Sequence, residues 1–375
     1  MKKLKKMLSV AVALGLILTM SACGKSANEV ARSGMNDNQA ESSAAGNTSE
    51  AKKVDPNKKI RVCIVYTGNL GDKSYNDSAN MGAQKAVKDF GVEVKSLEGT
   101  TAQEWEANLL AAAEEGYDLV IGASSNIADY ITKHASNYPN VKFAVIDTTV
   151  DLPNVSSISF AQNEGSFLAG AAAAMFTEKT DIKGVNEDKI IGWVGGMDIP
   201  VLHDFYVGYE QGAKYINPDI QILQSFAGSW SDPLKGKELT LAQYDQGADI
   251  VMNVASGTGP GILEAAKEAG KYAIGVDLNQ DNDQPGSILT SMVKRVDQAV
   301  YLTIESTVKG EFQGGTTRYL TLKDGGVSLT DFSVIKKALG DQFPQDIVDK
   351  CNELAEKIAS GEIVVNNYEG FGPQR

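Results

Sequence analysis

A polar, glycine-containing segment, Tyr66-Thr67-Gly68-Asn69-Leu70-Gly71-Asp72-Lys73-Ser74-Tyr75-Asn76-Asp77-Ser78-Ala79, separates two regular elements near the start of the chain. The apolar run before it, Ile60 to Val65, predicts a buried parallel strand, and the spacing from Ala79 to Val87 predicts a helix. Such a strand–turn–helix unit forms the edge of an open α/β sheet where ligands bind. Its polar side chains, including those of Asp72, Ser74 and Asn76, are therefore candidates for ligand contact, although Ser74, Asn76 and Asp77 suit the capping of the helix about equally well.

Strand-like runs alternate with helical patterns along the rest of the chain. The apolar runs are Ile60–Tyr66, Val92–Leu97, Leu119–Ile121, Phe143–Ile146, Ile190–Val194, Ile220–Ser225, Ile250–Val254 and Ala273–Val276. This alternation predicts an α/β protein with parallel sheets covered by helices on both faces. A later run, Ile288–Lys294, predicts a strand that crosses back to the first half of the chain, and Arg318–Leu322 predicts one more strand.

The chain also contains an internal repeat. Tyr75 stands seven residues before Gly82-Ala83, and Phe205 stands seven residues before Gly212-Ala213. After each helix pattern comes a matching strand and a turn of small polar residues. Two similar α/β halves are therefore predicted, each with an aromatic residue at the start of its first helix.

An acidic residue ends one strand in each half, at equivalent positions. Asp147 lies 72 residues after Tyr75, and Asp277 lies 72 residues after Phe205. Because ligands bind at the carboxyl ends of strands in open α/β sheets, facing halves would bring these residues into one cleft that closes by hinge motion. Two rings could hold a flat ligand between them, and two carboxylates could accept hydrogen bonds from it. The alternative is that both rings belong to the core.

Two further residues lie near this predicted cleft. Lys294 ends the strand-like run Ile288–Lys294, so it could reach a ligand hydroxyl, pair with a cleft carboxylate or remain in solvent. His203 is expected to be a hydrogen-bonded rim residue rather than a general base, because no nucleophile–base pair accompanies it. The sequence therefore predicts no catalytic residues.

The N-terminus has the pattern of a secretory signal. Residues 1–22 combine a basic start, an apolar run shorter than the roughly 20 residues of a membrane span, and small residues directly before Cys23. This pattern resembles the lipobox of bacterial lipoproteins, so we expect Cys23 to be acylated and residues 23–57 to form a lipidated, disordered tether; an ordinary signal peptide is the alternative. Cleavage would change the formal net charge from −13 to −17, which argues against nucleic-acid binding.

The remaining thiols and imidazoles give no sign of a metal or cofactor site. Cys63 lies in a predicted core strand and Cys351 in a predicted C-terminal helix, which favours free buried thiols over a disulfide. The chain has two histidines, His134 and His203, and no zinc-like spacing. We expect neither a bound metal nor a cofactor.

Several motifs together resemble the basic membrane protein family of lipoprotein receptors, which includes the purine nucleoside receptor A type. They are the run Asp72 to Ala79, Asn163-Glu164-Gly165-Ser166-Phe167-Leu168-Ala169-Gly170, Gly192-Trp193-Val194-Gly195-Gly196-Met197-Asp198, Gln243-Tyr244-Asp245-Gln246-Gly247-Ala248-Asp249 and Thr290-Ser291-Met292-Val293-Lys294-Arg295. The resemblance implies a type I periplasmic-binding-protein fold, with two Rossmann-like lobes and a hinge of three crossovers. The predicted first lobe comprises residues 58–162 and about 288–316, and the second comprises residues 163–287 and about 317–375.

The same resemblance implies a receptor rather than an enzyme. Family members deliver a ligand to an ABC permease and have no catalytic activity of their own. We therefore expect a monomer that its lipid anchors to the outer face of the cell membrane, and that binds a nucleoside for the permease and ATPase subunits of an ABC importer. By this likeness Tyr75 and Phe205 stack on a purine, Asn76 and Asp147 address the base, and Asp277, Lys294 and the turn at Gly257 hold the ribose. Trp230 falls where the family often has an aromatic residue near the cleft, with a packing role as the alternative.

Two departures from the family pattern lie on the base-facing side of the first lobe. Nucleoside receptors commonly have an Asp after the Thr that closes the first strand, where this chain has Thr67-Gly68, and a Gly-Phe pair where it has Ala123-Ser124-Ser125-Asn126. The alternatives are therefore a receptor for another flat or ribosyl ligand such as riboflavin, a sugar receptor, or a signalling receptor. A Rossmann-type enzyme is disfavoured, since no Gly-x-Gly-x-x-Gly turn follows the first strand.

Overall fold

A computed structural model describes residues 59–369 and residue 371. The predicted signal peptide, the acylated Cys23 and the tether lie outside these residues. Within the described part of the chain, each helix is too short or too polar to cross a membrane.

Six parallel strands form the first sheet: β1 (Arg61–Thr67), β2 (Glu93–Gly99), β3 (Leu119–Ala123), β4 (Lys142–Ile146), β5 (Val155–Phe160) and β11 (Thr316–Leu320). Their order across the sheet is β11-β5-β4-β3-β1-β2. Every residue of β3 is buried, as expected for a central parallel strand covered on both faces.

The second sheet repeats this arrangement with β6 (Ile190–Gly195), β7 (Gln221–Phe226), β8 (Ala248–Val254), β9 (Tyr272–Asp277), β10 (Ile288–Lys294) and β12 (Val327–Leu329). The order is β12-β10-β9-β8-β6-β7, and β12 is the antiparallel strand at its edge. Because the two orders correspond strand for strand, the internal repeat read from the sequence describes two equivalent sheets.

Ten helices pack on the sheets of the described chain: α1 (Tyr75–Phe90), α2 (Ala102–Glu114), α3 (Ala128–His134), α4 (Gln162–Phe176), α5 (Pro200–Ile216), α6 (Pro233–Asp245), α7 (Gly259–Ala269), α8 (Val296–Val308), α9 (Ser333–Leu339) and α10 (Gln345–Ser360). The repeated glycines lie at close helix contacts. A Cβ on Gly82 would lie 2.1 Å from the backbone oxygen of Asp297 on α8, and one on Gly212 would lie 1.9 Å from that of Phe167 on α4. The two halves therefore repeat a helix pairing as well as a sheet.

The chain passes three times between the sheets, after β5, after β10 and after β11. The prediction that Ile288–Lys294 returns to the first lobe is wrong, because β10 pairs in parallel with β9 of the second sheet, with Met292 opposite Val276. The strand predicted at Arg318–Leu322 is also in a different sheet from the one expected. The sequence predicts it in the second lobe, but as β11 it pairs with β5 of the first sheet. An apolar run shows that a strand is buried without showing which sheet buries it.

Both thiols are free and buried, as predicted. Cys63 lies in β1 and Cys351 in α10. Burial raises the pKa of each thiol to about 12, so both are protonated at neutral pH.

Candidate ligand-binding site

A cavity lies where the carboxyl ends of strands from both sheets meet. Its walls come from the ends of β1, β3, β4, β8, β9 and β10 and from the starts of α1 and α5. The lining residues are Thr67, Tyr75, Asn76, Ser124, Ser125, Asp147, Ile199, Val201, Leu202, Phe205, Trp230, Val254, Ala255, Ser256, Asp277 and Lys294. The cleft inferred from the repeat is therefore present, and residues of both halves line it.

The two predicted aromatic residues both line this cavity. Tyr75 is the first residue of α1, and Phe205 lies in the second turn of α5. Phe205 is also part of the buried apolar core, and Tyr75 packs against that core. Burial, with the charge of Asp147 as a smaller cause, raises the pKa of the Tyr75 hydroxyl well above its usual value. Each ring thus closes one wall of the cavity and is fixed by packing behind it.

Lys294 is almost completely buried, and its ammonium group pairs with a cleft carboxylate. Nζ lies 2.7 Å from Asp147 Oδ1. The same atom lies 5.1 Å from the ring centroids of Phe160 and Phe205 and 5.5 Å from that of Tyr75. The aromatic faces and the carboxylate together replace the water that the cation loses on burial. Of the alternatives left open for this lysine, pairing with a carboxylate is confirmed.

Asp277 occupies the equivalent position in the second sheet but has a different partner. The Ser74 hydroxyl donates to Asp277 Oδ2 at 2.5 Å, which joins the turn before α1 to the end of β9. Burial raises the pKa of the Asp277 carboxyl to about 7, although Lys294 and the Ser74 hydroxyl both oppose the shift. This carboxyl therefore changes charge near neutral pH, and its oxygen Oδ1 remains available to a ligand.

Both acids adopt a left-handed backbone conformation, with φ of 71° at Asp147 and 63° at Asp277. Residues with a Cβ seldom adopt this region, and a short polar side chain such as Asp tolerates it best. The backbone turns sharply at the end of each strand and directs the carboxylate into the cavity. This shared geometry explains why the repeat places an acid at both positions.

Three of the predicted ligand-binding residues, Asp72, Ser74 and Gly257, lie beside the cavity and not among its lining residues. Asp72 accepts hydrogen bonds from the backbone N–H groups of Ser74 and Asn76, so it caps the start of α1. It also accepts the Ser256 hydroxyl at 2.7 Å. Asp72 and Ser74 therefore hold the two halves together, and direct ligand contact by these residues remains a prediction.

Several lining residues were not among the candidates. Ser124 and Ser256 belong to the turns of small polar residues after β3 and β8, which the repeat had already aligned. Ile199, Val201 and Leu202 precede Phe205 at the start of α5 and line the cavity with apolar groups. The signal for the serines was their place within two residues of the end of a strand. The aliphatic residues carried no such signal, because nothing distinguishes them from core residues.

Polar atoms in the cavity wall are free to bind a ligand. Asn76 Oδ1 and Trp230 Nε1 are buried, and neither has a hydrogen-bond partner in the described part of the chain. Such atoms are costly to bury unless a ligand or water binds them. His203 lies outside the lining, and its Nε2 is 2.6 Å from Asp198 Oδ1, as expected for a rim histidine.

Comparison with known proteins places this geometry in context. A family model described as ABC transporter substrate-binding protein PnrA-like matches residues 59–369. A Lactococcus lactis protein named ABC transporter nucleoside-binding protein BmpA is 34% identical over 331 residues, which cover 81% of this chain and 90% of that one. A Pyrococcus abyssi protein described as an uncharacterized lipoprotein is 32% identical over 347 residues, with coverage of 82% and 84%.

Solved structures show the same architecture. A solute-binding protein of an ABC transporter system from Aeropyrum pernix K1 superposes with a TM-score of 0.77 at 31% identity, covering 82% of this chain and 94% of that one. A second solute-binding protein, from Conexibacter woesei, gives a TM-score of 0.63 at 25% identity, with coverage of 84% and 100%. The predicted type I periplasmic-binding-protein fold is confirmed.

Proposed function

The chain belongs to the family of PnrA-like ABC transporter substrate-binding proteins, and on this premise we propose that it captures a nucleoside, preferably a purine nucleoside, in the cavity between its two sheets. One observation carries the proposal: the cavity combines a ring from each half, Tyr75 and Phe205, with a carboxylate from each half, Asp147 and Asp277. A nucleoside has one flat apolar part and one hydroxyl-bearing part, and this wall offers partners for both.

The flat base fits between the aromatic residues. Stacking of a base on an aromatic side chain contributes roughly 1–3 kcal/mol. Asn76 Oδ1 can accept a hydrogen bond from the edge of the base, and Trp230 Nε1 can donate one. We propose that these groups, with the hydroxyls of Ser124 and Ser125, surround the base.

The ribose fits against the second sheet. Asp277 Oδ2 already accepts the Ser74 hydroxyl, so Oδ1 is left to accept a ligand hydroxyl. Charged acceptors form stronger hydrogen bonds than neutral ones. A ribose bound here would contact the strand end of the second half while the Ser74 contact holds the first half in place.

The charges in the cavity favour a neutral ligand. Lys294 is the one cation among the lining residues, and its charge is offset by Asp147 at 2.7 Å. Asp277 adds negative charge once it ionises, and the cavity residues that the structure describes offer no second cation to a phosphate. We therefore propose that nucleosides are bound and that nucleotides are rejected, because a phosphate would be desolvated without a partner.

Delivery of the ligand follows from the family. We propose that each sheet with its helices forms a lobe, that the lobes close on the nucleoside, and that a monomer presents it unchanged to the permease and ATPase of an ABC importer. The lipoprotein relative from Pyrococcus abyssi supports the proposed acylation of Cys23, which would hold the protein on the extracytoplasmic face of the membrane. Two or more acyl chains anchor a protein stably.

A ligand panel tests the function. Residues 58–375 are heated with inosine, guanosine, adenosine, cytidine, riboflavin, ribose, arabinose and inosine monophosphate, since a ligand that binds the folded state raises the melting temperature. We expect the nucleosides to stabilise the protein, and the sugars and the nucleotide to leave its melting temperature unchanged. Recovery of intact inosine after incubation separates a receptor from an enzyme. Stabilisation by riboflavin or a sugar, with none by a nucleoside, would replace the proposed ligand class.

A further inference from the structure

Residues 363–368, which we name the C-terminal strap, follow α10 and form neither helix nor strand. Side chains from two helices nevertheless hold their backbone. Asn163 of α4 donates through Nδ2 to two strap carbonyls, at 3.3 and 3.0 Å. Gln211 of α5 donates to one strap carbonyl at 3.0 Å and accepts a strap N–H at 2.9 Å. An irregular segment with this many side-chain contacts has a defined position.

The strap also binds a fully buried carboxylate on α5. Asp204 Oδ1 accepts the backbone N–H of Tyr368 at 2.8 Å and lies 3.4 Å from Asn367 Nδ2, while its Oδ2 accepts from Gln162 Nε2. Asp204 directly precedes Phe205, so the two side chains point in different directions from the same turn. One is held by the strap and the other forms a wall of the cavity.

One strap residue contacts the other half of the molecule as well. Asn367 Nδ2 donates to the Tyr319 hydroxyl at 3.2 Å. Tyr319 lies on β11 of the first sheet, and its neighbour Leu320 pairs with Phe160, whose ring faces the Lys294 ammonium group. Asn367 therefore connects α5, next to the cavity, with the edge strand of the opposite sheet.

The start of α5 needs such support. It carries the cavity residues Val201, Leu202 and Phe205, yet its N-cap residue, Ile199, has no side chain that can cap the helix. We propose that the C-terminal strap positions the Phe205 wall of the cavity, with Asp204 as its anchor and Asn367 as the joint to the first sheet. Both are positioning residues, and this role rests on the proposed function of the cavity.

The physical reason is preorganisation. A ring that is already held in its binding position loses little conformational freedom when a ligand arrives, so binding is tighter. The Asn367–Tyr319 contact also spans the two sheets, so a change in their relative position reaches α5 through the strap. Loss of this contact should therefore speed the dissociation of the ligand.

Asn367→Ala tests the inference in the full folded chain, with Asn352→Ala on the exposed face of α10 as the matched control. With inosine as the probe, we expect Asn367→Ala to bind 3- to 10-fold more weakly, mainly through faster dissociation, and Asn352→Ala to bind like the parent. Without ligand, the backbone amides of residues 201–206 should exchange hydrogen faster in Asn367→Ala alone. The melting temperatures of both variants should stay close to that of the parent.

A second variant separates positioning from general support. Tyr319→Phe keeps the ring and removes the hydroxyl that accepts from Asn367. If the joint acts as proposed, the double variant Asn367→Ala/Tyr319→Phe binds inosine no more weakly than Asn367→Ala alone. If the two substitutions weaken inosine binding independently, so that their losses of affinity add, the proposed role of the Asn367–Tyr319 contact is wrong.

The outcomes also separate this inference from the proposed function. Tight inosine binding by Asn367→Ala, with unchanged amide hydrogen exchange at residues 201–206, overturns the inference and leaves the receptor function intact. If the parent chain binds no nucleoside, the proposed function fails. In that case the amide hydrogen exchange of residues 201–206 alone decides whether the strap positions α5.

Discussion

Lys294 Nζ lies 2.7 Å from Asp147 Oδ1 in the cavity. An ammonium group at the end of a strand in the second sheet therefore neutralises a carboxylate at the end of a strand in the first. Both side chains are buried, and such a pair is stable when its partners are fixed in good geometry. The pair thus serves two purposes, since it joins the halves and gives the cavity a nearly neutral wall.

Lys294→Met should destabilise the protein by about 3 kcal/mol, because it leaves the buried Asp147 carboxylate without its cation. Urea unfolding at pH 7 measures this free energy. The double variant Lys294→Met/Asp147→Asn should recover most of the loss, and Lys350→Met on the surface should change stability by less than about 0.5 kcal/mol. If Lys294→Met is as stable as the parent, the Lys294–Asp147 pair contributes nothing to folding.

Removal of either ring should weaken nucleoside binding. We expect Phe205→Ala and Tyr75→Ala each to lower the affinity for inosine by roughly 10-fold or more, since each loses one stacking face. Tyr75→Phe keeps the ring and loses only the hydroxyl, so it should stay within about threefold of the parent. Titration calorimetry gives these affinities. Equal binding by Tyr75→Phe and Tyr75→Ala would rule out stacking at this position.

Asp277 should make stability fall as pH rises through the weakly acidic range. Its pKa is about 7 in the folded protein against an ordinary value of 3.8, so between these values the folded state keeps a proton that the unfolded state has lost. The free energy of unfolding then decreases with rising pH, on the order of 1 kcal/mol per pH unit within that window, and levels off above it.

The comparison with Asp277→Asn isolates this contribution, since other acids titrate alike in both proteins. Relative to the parent, the ligand-free variant should gain stability from pH 4 to pH 7 and change little from pH 8 to pH 9. Urea unfolding at each pH gives the difference. A difference that is constant with pH would mean that Asp277 has an ordinary pKa.

The repeated glycines should tolerate no side chain. Gly82→Ala and Gly212→Ala place a Cβ within 2.1 and 1.9 Å of backbone oxygens on the neighbouring helices, so each helix pair must move apart. We expect each change to destabilise the protein by about 1–3 kcal/mol. Gln84→Ala, at an exposed position on α1, is the matched control and should have little effect. Thermal unfolding of the three variants provides the measurement.

The internal repeat predicted which residues meet in the cavity more reliably than the local patterns predicted individual helices and strands. Tyr75, Phe205, Asp147 and Asp277 were found because equal spacing located the same point in two halves. α4 was not predicted as a helix, because it is buried on almost every side and its small residues show no helical period of polarity. β5 was missed for a related reason, since three serines interrupt its apolar pattern.

Contacts between distant parts of the chain were beyond sequence reasoning. The turn at Ser74 showed its capping chemistry, but nothing in the sequence placed its hydroxyl on Asp277. The sequence assigned β10 and β11 each to the wrong sheet for the same reason. Pairing depends on which sheet edge a strand meets and not on its own residues. The strap residues around Asn367 form no periodic pattern at all.

The placement of β11 has a consequence for how the protein is made. Its partner β5 ends at Phe160, whereas β11 begins at Thr316, so the first half of the chain cannot complete its sheet until most of the polypeptide has emerged. Until then the outer side of β5 offers unpaired backbone groups to any passing strand. A fragment that stops after β10 should therefore aggregate, and the two halves cannot be produced as separate folding units by one cut.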